Sequence, residues 1–123
     1  VILNPSSREK EIAKILGKIY GKQVKIIPRV NEPANIKTPD YMIENEKLDL
    51  KQITGSGKYV IEGNLKGKKK QANNFIIDIT KSELDKATAE KQIESIYQSM
   101  RYSWVDKIFL IKEDSILKVY KRK

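Results

Sequence analysis

The sequence contains neither cysteine nor histidine. The absence of cysteine excludes disulfides, thiolate–zinc sites and a cysteine nucleophile. The absence of histidine excludes Ser–His–Asp triads, histidine–metal sites and histidine acid–base catalysis. No apolar run approaches the roughly 18–20 residues of a membrane-spanning helix, and no signal peptide is recognisable. Any catalysis by this chain must therefore use carboxylates, lysine, arginine, tyrosine, serine or threonine.

The composition that remains is that of one small basic domain. The chain has 123 residues, of which 39% are hydrophobic, enough for one packed core. The 25 Lys and Arg against 16 Asp and Glu leave a net charge of +9. Five lysines lie between Lys58 and Lys70, and residues 118–123 hold four basic residues. This clustering favours a polyanionic partner. Nucleic acid is the first candidate, and an anionic membrane surface is the second.

Hydrophobic periodicity predicts a chain that alternates helices and strands. A first helix is expected after an N-cap at Ser6 or Ser7, with Ile12, Leu16 and Ile19 on its apolar face and a stop at Gly21. The other predicted elements are strands at 23–27, 41–44, 47–53, 74–79, 107–111 and 116–120, and helices at 58–71 and 88–101. The segment 29–38 is predicted to be a loop. The order α-β-β-β-α-β-α-β-β predicts an α/β fold, a sheet with helices on its faces.

Charged side chains are predicted to meet on two neighbouring strands. Pro39-Asp40 begins one strand, eight residues intervene, and Asp49-Leu50-Lys51 lies on the next. A tight turn at 44–46, in which Asn45 suits an unusual backbone angle, makes the strands antiparallel neighbours and could bring Asp40 near Asp49. Residues i and i+2 of a strand face the same side, so Asp49 and Lys51 project together.

Two carboxylates and one ammonium on one face suit a hard divalent cation such as Mg²⁺, acting on a phosphodiester. Lys51 would orient the nucleophile or neutralise developing charge. Glu9 and Glu11 of the first helix could each supply a further ligand or an outer partner, and periodicity does not choose between them. The alternative is a solvated sheet face, because alternating charges on a strand are common in a chain that is 33% charged.

Other basic and aromatic residues are candidates for substrate contact. Tyr102 and Trp104 lie at the turn after the last long helix and could stack on bases. Packing in the core is the role expected of them. Tyr41 either lines the cleft or packs, and Asp78 is expected to be structural. Five lysines are predicted phosphate contacts, with a solvated helix end as the alternative: Lys58, Lys66, Lys68, Lys69 and Lys70.

The motif Pro39-Asp40 followed by Asp49-Leu50-Lys51 resembles that of the PD-(D/E)xK nuclease superfamily. A Glu-bearing helix precedes it, an apolar strand follows it, and α-β-β-β-α-β is the core of that superfamily, here with an additional helix and strands. The resemblance implies a mixed central sheet flanked by helices. More narrowly, the chain looks like the C-terminal nuclease domain, especially of the tRNase type, of bacterial contact-dependent growth inhibition toxins. The segments that carry this likeness are Arg8 to Ala13, Pro28 to Pro33, Thr38 to Ile43, Asp49 to Lys51, and Lys70 to Asp78.

The resemblance assigns roles to individual residues. It implies that Asp40 and Asp49 are metal ligands and that Lys51 is the catalytic lysine. The helix-1 glutamate falls on Glu9 or Glu11, and Gln71 matches a polar position near the active site, with a surface glutamine as the alternative. The implied cofactor is Mg²⁺, with Mn²⁺ or Zn²⁺ as alternatives.

The resemblance also implies a biological role. Such domains cleave nucleic acid inside a target bacterium, and tRNA is expected as the substrate rather than DNA. A cognate immunity protein neutralises them in the producer. The start at Val1 is expected of a domain cut from a longer secreted or surface-delivered effector. The competing hypotheses are a metal-independent ribonuclease, a DNase of the same fold and a non-catalytic nucleic-acid-binding module. Membrane binding is not expected, because the helix predicted at 88–101 begins acidic.

Overall fold

A computed structural model describes residues 2–3, 6–27, 29–30, 40–67 and 72–122. In chain order its elements are β1 (Ile2–Leu3), α1 (Ser7–Tyr20), β2 (Lys25–Ile26), β3 (Arg29–Val30), β4 (Tyr41–Ile43), β5 (Glu46–Gln52), α2 (Val60–Leu65), β6 (Asn74–Asp78), α3 (Lys86–Gln98), a 3₁₀ turn (Met100–Tyr102), β7 (Lys107–Lys112) and β8 (Ser115–Lys121). Six strands form one sheet in the order β2-β4-β5-β6-β7-β8, and β1 pairs with β3 separately. The central strands β5, β6 and β7 are parallel, and their outer neighbours are antiparallel. The predicted α/β class, a mixed sheet with helices, is confirmed.

Helix α1 begins and ends where the sequence predicted. The Ser6 hydroxyl accepts a hydrogen bond from the Glu9 amide, and the Ser6 amide donates to the Glu9 carboxylate, which together form a capping box. Gly21 ends the helix with a φ of 62°. Leu16 is fully buried as predicted, but Ile19, predicted on the same face, is 54% exposed because it lies in the last turn.

The sheet separates two hydrophobic cores. Helix α1 covers one face, where Leu16 packs with Leu48, Ile76 and Phe109. Helices α2 and α3 cover the other, where Ile61 and Ile93 pack with residues of β6 and β7. All five residues of β6 are buried, because both faces of the central strand are covered.

Two helix predictions were too long. The helix predicted at 58–71 spans only Val60–Leu65, and Gly67 follows with a φ of 77°. Residues 68–71 lie outside the described part of the chain. Glycines at 63 and 67 disfavour a longer helix. Helix α3 ends at Gln98, so Met100, predicted on its apolar face, sits in the 3₁₀ turn and is 90% exposed. None of the described helices is long and apolar enough to cross a bilayer.

The loops differ from the predictions in two places. The β4–β5 turn is confirmed, but Glu44, with a φ of 54°, takes the left-handed conformation expected at Asn45. In the β7–β8 turn, Glu113 also takes the left-handed conformation, with a φ of 55°. The predicted loop at 29–38 begins with the short strand Arg29–Val30, paired with β1, and residues 31–39 are outside the described ranges. The whole of α1 separates β1 from β3 in the sequence, so the residues near either strand could not indicate their pairing.

Candidate functional site

Strand β5 presents an acid and a lysine on one face, as its alternation predicted. Asp49 lies beside Phe75 in the parallel register, on the face covered by α2 and α3. Leu48 points to the opposite core. The Lys51 Nζ lies 2.8 Å from Asp49 Oδ2, with the two side chains 15% and 4% exposed. The alternative of a solvated sheet face is therefore wrong for this pair.

The Asp49 carboxylate is buried without full hydrogen bonding. Its Oδ2 atom is shielded from water, and among the described residues its one close partner is the Lys51 ammonium at 2.8 Å, which stabilises the negative charge there. A buried anionic oxygen that relies on a single cation, with no further donor, is costly. Such atoms in native proteins call for an explanation, of which ion binding or catalysis is one.

Asp40 is anchored to the same strand. Its Oδ2 accepts a hydrogen bond of 2.7 Å from the backbone amide of Leu50, the residue between Asp49 and Lys51. The Asp40 amide in turn donates to the carbonyl oxygen of Leu48 at 3.0 Å. The prediction that the turn brings Asp40 to the strand of Asp49 is confirmed.

The structure separates the two candidate glutamates of α1. Glu9 is 4% exposed, and the hydroxyl of the fully buried Tyr41 donates to its carbonyl oxygen at 2.8 Å. This contact ties Glu9 to the strand that follows Asp40. Glu11 is 54% exposed and pairs with Arg8 at 3.1 Å. Glu9 is therefore the buried one of the two, but its contact with β4 is made by its backbone, and α1 covers the sheet face opposite Asp49. A catalytic role for either residue stays a prediction.

The remaining candidates are only partly within the described chain. Lys58 and Lys66 are exposed. Gln71 and the lysines at 68, 69 and 70 lie outside the described residues, and the roles of all these residues stay predictions. The prediction that Trp104 packs is confirmed, because its ring contacts Phe75 edge-on with centroids 5.7 Å apart.

Sequence reasoning missed Arg8, which joins three elements. Its guanidinium holds both carboxylate oxygens of Asp78 at 2.8 and 3.1 Å and also donates to Thr80 Oγ1 and the Glu113 carbonyl oxygen. Burial raises the pKa of Asp78, but the hydrogen bonds from Arg8 and Thr80 outweigh burial and leave that pKa below its ordinary value. This network fits the structural role expected of Asp78. The signal available in the sequence was the position of Arg8 in the first turn of α1, where the helix dipole disfavours a positive charge.

The donor set of the site fits a cation that is shared with a substrate. Among the residues that the structure describes, no three acidic side chains converge closely enough to hold a metal ion. Asp49, paired with Lys51, and Asp40, bonded to the Leu50 amide, remain as two carboxylates on adjacent backbone. Mg²⁺ is commonly held by one or two carboxylates, with water and phosphate oxygens completing its coordination. The residues present therefore suit Mg²⁺ better than a closed structural metal site.

Fold and site together define an α/β domain with a buried Asp–Lys pair on a central parallel strand. Residues 37–116 match the family model described as the contact-dependent growth inhibition CdiA C-terminal domain. The chain belongs to this family, and the matched span includes Asp40, Asp49 and Lys51. The resemblance to the C-terminal domain of contact-dependent growth inhibition toxins is thereby confirmed.

A solved structure supports the fold. The chain is similar to one from the "CdiA-CT/CdiI toxin and immunity complex from Burkholderia pseudomallei", with 25% identity and a TM-score of 0.68. The similarity covers 94% of this chain and 83% of that one. No curated protein matches the chain in sequence.

Proposed function

We propose that this chain is a metal-dependent nuclease toxin domain with a PD-(D/E)xK core, and that it hydrolyses phosphodiester bonds in tRNA. The observation that carries the proposal is the Asp49–Lys51 pair, buried on one face of β5, with a carboxylate oxygen whose only close partner among the described residues is the Lys51 ammonium. Asp40, bound to the backbone of Leu50, supplies the second carboxylate that this chemistry needs. The net charge of +9 favours a polyanionic substrate.

In this mechanism Asp40 and Asp49 would be the residues that hold Mg²⁺, with Mn²⁺ or Zn²⁺ as alternatives. The bound cation would polarise a phosphate oxygen and acidify a water molecule. Lys51, as an ammonium beside Asp49, neutralises the negative charge that develops on the phosphate oxygens during attack. The low exposure of both side chains strengthens this electrostatic effect, because little water screens it. Glu9 is assigned an outer role, in which its carboxylate caps α1 at Ser6 and its backbone carbonyl oxygen holds α1 against Tyr41 of the strand after Asp40.

The family and the neighbouring structure support the biological setting. That neighbour is a toxin in complex with its immunity protein. We infer that a cognate immunity protein likewise neutralises this chain in the producing cell. The domain would be delivered as part of a larger cell-surface effector and would act in the cytoplasm of the target bacterium.

The test is scission of total tRNA and, separately, of plasmid DNA, with Mg²⁺ or with EDTA. Asp49→Asn and Lys51→Met are compared with Lys107→Met as the matched control. Lys107 is 15% exposed, like Lys51, and forms an ion pair of 2.6 Å with Glu46 at the other end of β5. We expect Mg²⁺-dependent cleavage of tRNA, a loss of roughly 100-fold or more in kcat/KM for both site variants, and near-normal cleavage by the control.

Each other result points to a different function. Cleavage of DNA alone would indicate a DNase of the same fold. Cleavage that survives EDTA and Asp49→Asn would replace the carboxylate site with a metal-independent ribonuclease. Binding without scission, in wild type and variants alike, would indicate a nucleic-acid-binding module. The fluorescence of Trp104, the single tryptophan, checks that each variant is folded.

A further inference from the structure

We propose that the groove between α2 and α3 binds an unpaired nucleotide of the substrate, with the ring of Tyr59 as the stacking surface. This inference rests on the nucleic-acid substrate of the proposed function. The groove encloses about 390 Å³, with Lys58, Tyr59 and Glu62 on one side and Lys91, Gln92 and Ile96 on the other. A volume of this size lies in the range of small-ligand sites, roughly 300–1,000 Å³.

The exposure of Tyr59 is exceptional in this molecule. Its side chain is 65% exposed, whereas every other aromatic residue of the chain is buried or half-buried. The chain thus covers eight of its nine aromatic rings and leaves one at the mouth of a groove. Exposed aromatic rings next to cations are the usual platforms for unpaired bases, because every base has a flat face that can stack.

Cations flank the ring from two elements. The Lys58 Nζ lies 5.5 Å from the centroid of the Tyr59 ring, and Lys91 lines the groove from α3. Glu62, the one acid among the described lining residues, lies beside the hydroxyl of Tyr102, whose pKa is raised first by burial and then by that carboxylate. One ammonium group over the ring and a second in the lining supply positive charge for the phosphates of a nucleotide that enters the groove.

The walls of the groove are fixed before any ligand arrives. The Gln92 side chain donates to the carbonyl oxygen of Gly57 at 3.1 Å and accepts from the amide of Ile61 at 3.1 Å. These bonds hold α3 against the segment that carries Lys58 and Tyr59. Preorganisation of this kind lowers the entropic cost of binding.

The groove lies on the same side of the sheet as the proposed catalytic pair. Helices α2 and α3, which form the groove, cover the face that carries Asp49 and Lys51, whereas α1 covers the opposite face. A base inside a duplex is stacked and paired and cannot enter, whereas loops and single strands present free bases. The inferred substrate feature is therefore an unpaired nucleotide near the scissile bond.

Binding is tested in EDTA with a single-stranded RNA oligonucleotide that contains 2-aminopurine, and with the same strand in a blunt duplex. Tyr59→Ala is compared with Tyr59→Phe, which keeps the ring, and with Ile19→Ala. Ile19 is a 54% exposed side chain on α1, the helix that covers the other face. We expect Tyr59→Ala to weaken single-strand binding roughly 5- to 100-fold and to abolish the quenching of 2-aminopurine. Tyr59→Phe and Ile19→Ala should bind like wild type, and duplex binding should not change.

The lysines give an independent readout. Lys58→Ala and Lys91→Ala should each reduce the slope of log affinity against log salt concentration by about 0.7 for the single strand. Unchanged single-strand binding by Tyr59→Ala, while wild type still cleaves RNA, would overturn the groove and leave the nuclease proposal intact. Absence of both binding and scission in wild type would overturn both. Loss of immunity-protein binding by Tyr59→Ala, with RNA binding intact, would make the groove a protein interface and overturn the inference.

Discussion

At the scale of single residues, four polar or charged side chains are buried in the described chain: Glu9, Asp49, Asn74 and Asp78. Glu9 closes a capping box, Asn74 bonds the backbone of two strands, and Asp78 is held by Arg8 and Thr80. Asp49 differs from these three, because among the described residues its Oδ2 has only the Lys51 ammonium beside it. Reliance on a single ion pair thus sets the candidate ligand apart from the structural groups.

Arg8→Ala is expected to destabilise the domain by about 3 kcal/mol at pH 7, because it leaves the buried Asp78 carboxylate without its cation. Urea unfolding followed by Trp104 fluorescence measures the change. Lys22→Ala is the control, since Lys22 and Glu44 form an ion pair with both side chains more than half exposed. That change should cost less than about 1 kcal/mol.

The effect of Arg8 should depend on pH in a defined direction. The pKa of Asp78 in the folded protein lies below its ordinary value of 3.8. The stability that ionised Asp78 contributes is therefore fully present above about pH 4 and is lost as the pH falls through the folded pKa. The difference between wild type and Arg8→Ala should shrink over the same acid range. A difference that stays constant down to pH 2 would show that Arg8 acts through packing alone.

At the scale of elements, the accuracy of each prediction followed the strength of its local signals. Helix α1 has a Ser–Glu capping box and a C-terminal glycine, and both of its ends were predicted. Helix α2 has no side-chain cap, and its predicted length was more than twice the observed one. Tyr59 consequently fell inside the predicted helix. In the structure it precedes α2, and its ring is exposed.

Two glycine substitutions test how far local signals determine the ends and the stability of the helices. Gly21→Ala should cost about 1 kcal/mol, because its φ of 62° disfavours any residue with a Cβ, and no atom lies close enough to clash. Gly63→Ala should stabilise by roughly 0.5–1 kcal/mol, because it lies within α2 with open space around it. Thermal unfolding of the two variants measures both changes. A destabilised Gly63→Ala would show that α2 is held by contacts that helix propensity does not describe.

At the scale of the whole molecule, one sheet couples the two cores. β6 contributes Ile76 to the α1 side and Phe75 and Ile77 to the other side. Disruption of either core therefore displaces the strand that both share. The two layers should unfold as one cooperative unit.

Leu16→Ala and Ile93→Ala test this coupling from opposite faces. Both side chains are fully buried, Leu16 on the inner face of α1 and Ile93 on that of α3. Each change should lower the free energy of unfolding by about 2–5 kcal/mol. Trp104 packs on the α3 side, yet its fluorescence transition should shift for both variants and coincide with far-UV circular dichroism. A separate early transition in Leu16→Ala, seen only by circular dichroism, would mean that the α1 layer unfolds independently.

The sequence by itself determined the features that depend on neighbouring residues. The alternation of β5 placed Asp49 and Lys51 on one face, and the continuous apolar run of β6 indicated a strand covered on both sides. The turn between β4 and β5 brought Asp40 to its partner strand. These outcomes follow from side-chain periodicity and turn chemistry, which act over a few residues.

Only the tertiary structure decided the features that join distant segments. Burial of Glu9 and exposure of Glu11 depend on how α1 lies against β4, which periodicity within the helix could not settle. Arg8 and Asp78 are 70 residues apart, and packing alone brings them into contact. The groove at Tyr59 exists because Gln92 of α3 bonds the segment before α2. Each of these contacts depends on the docking of whole helices onto the sheet, and no short stretch of sequence encodes that docking.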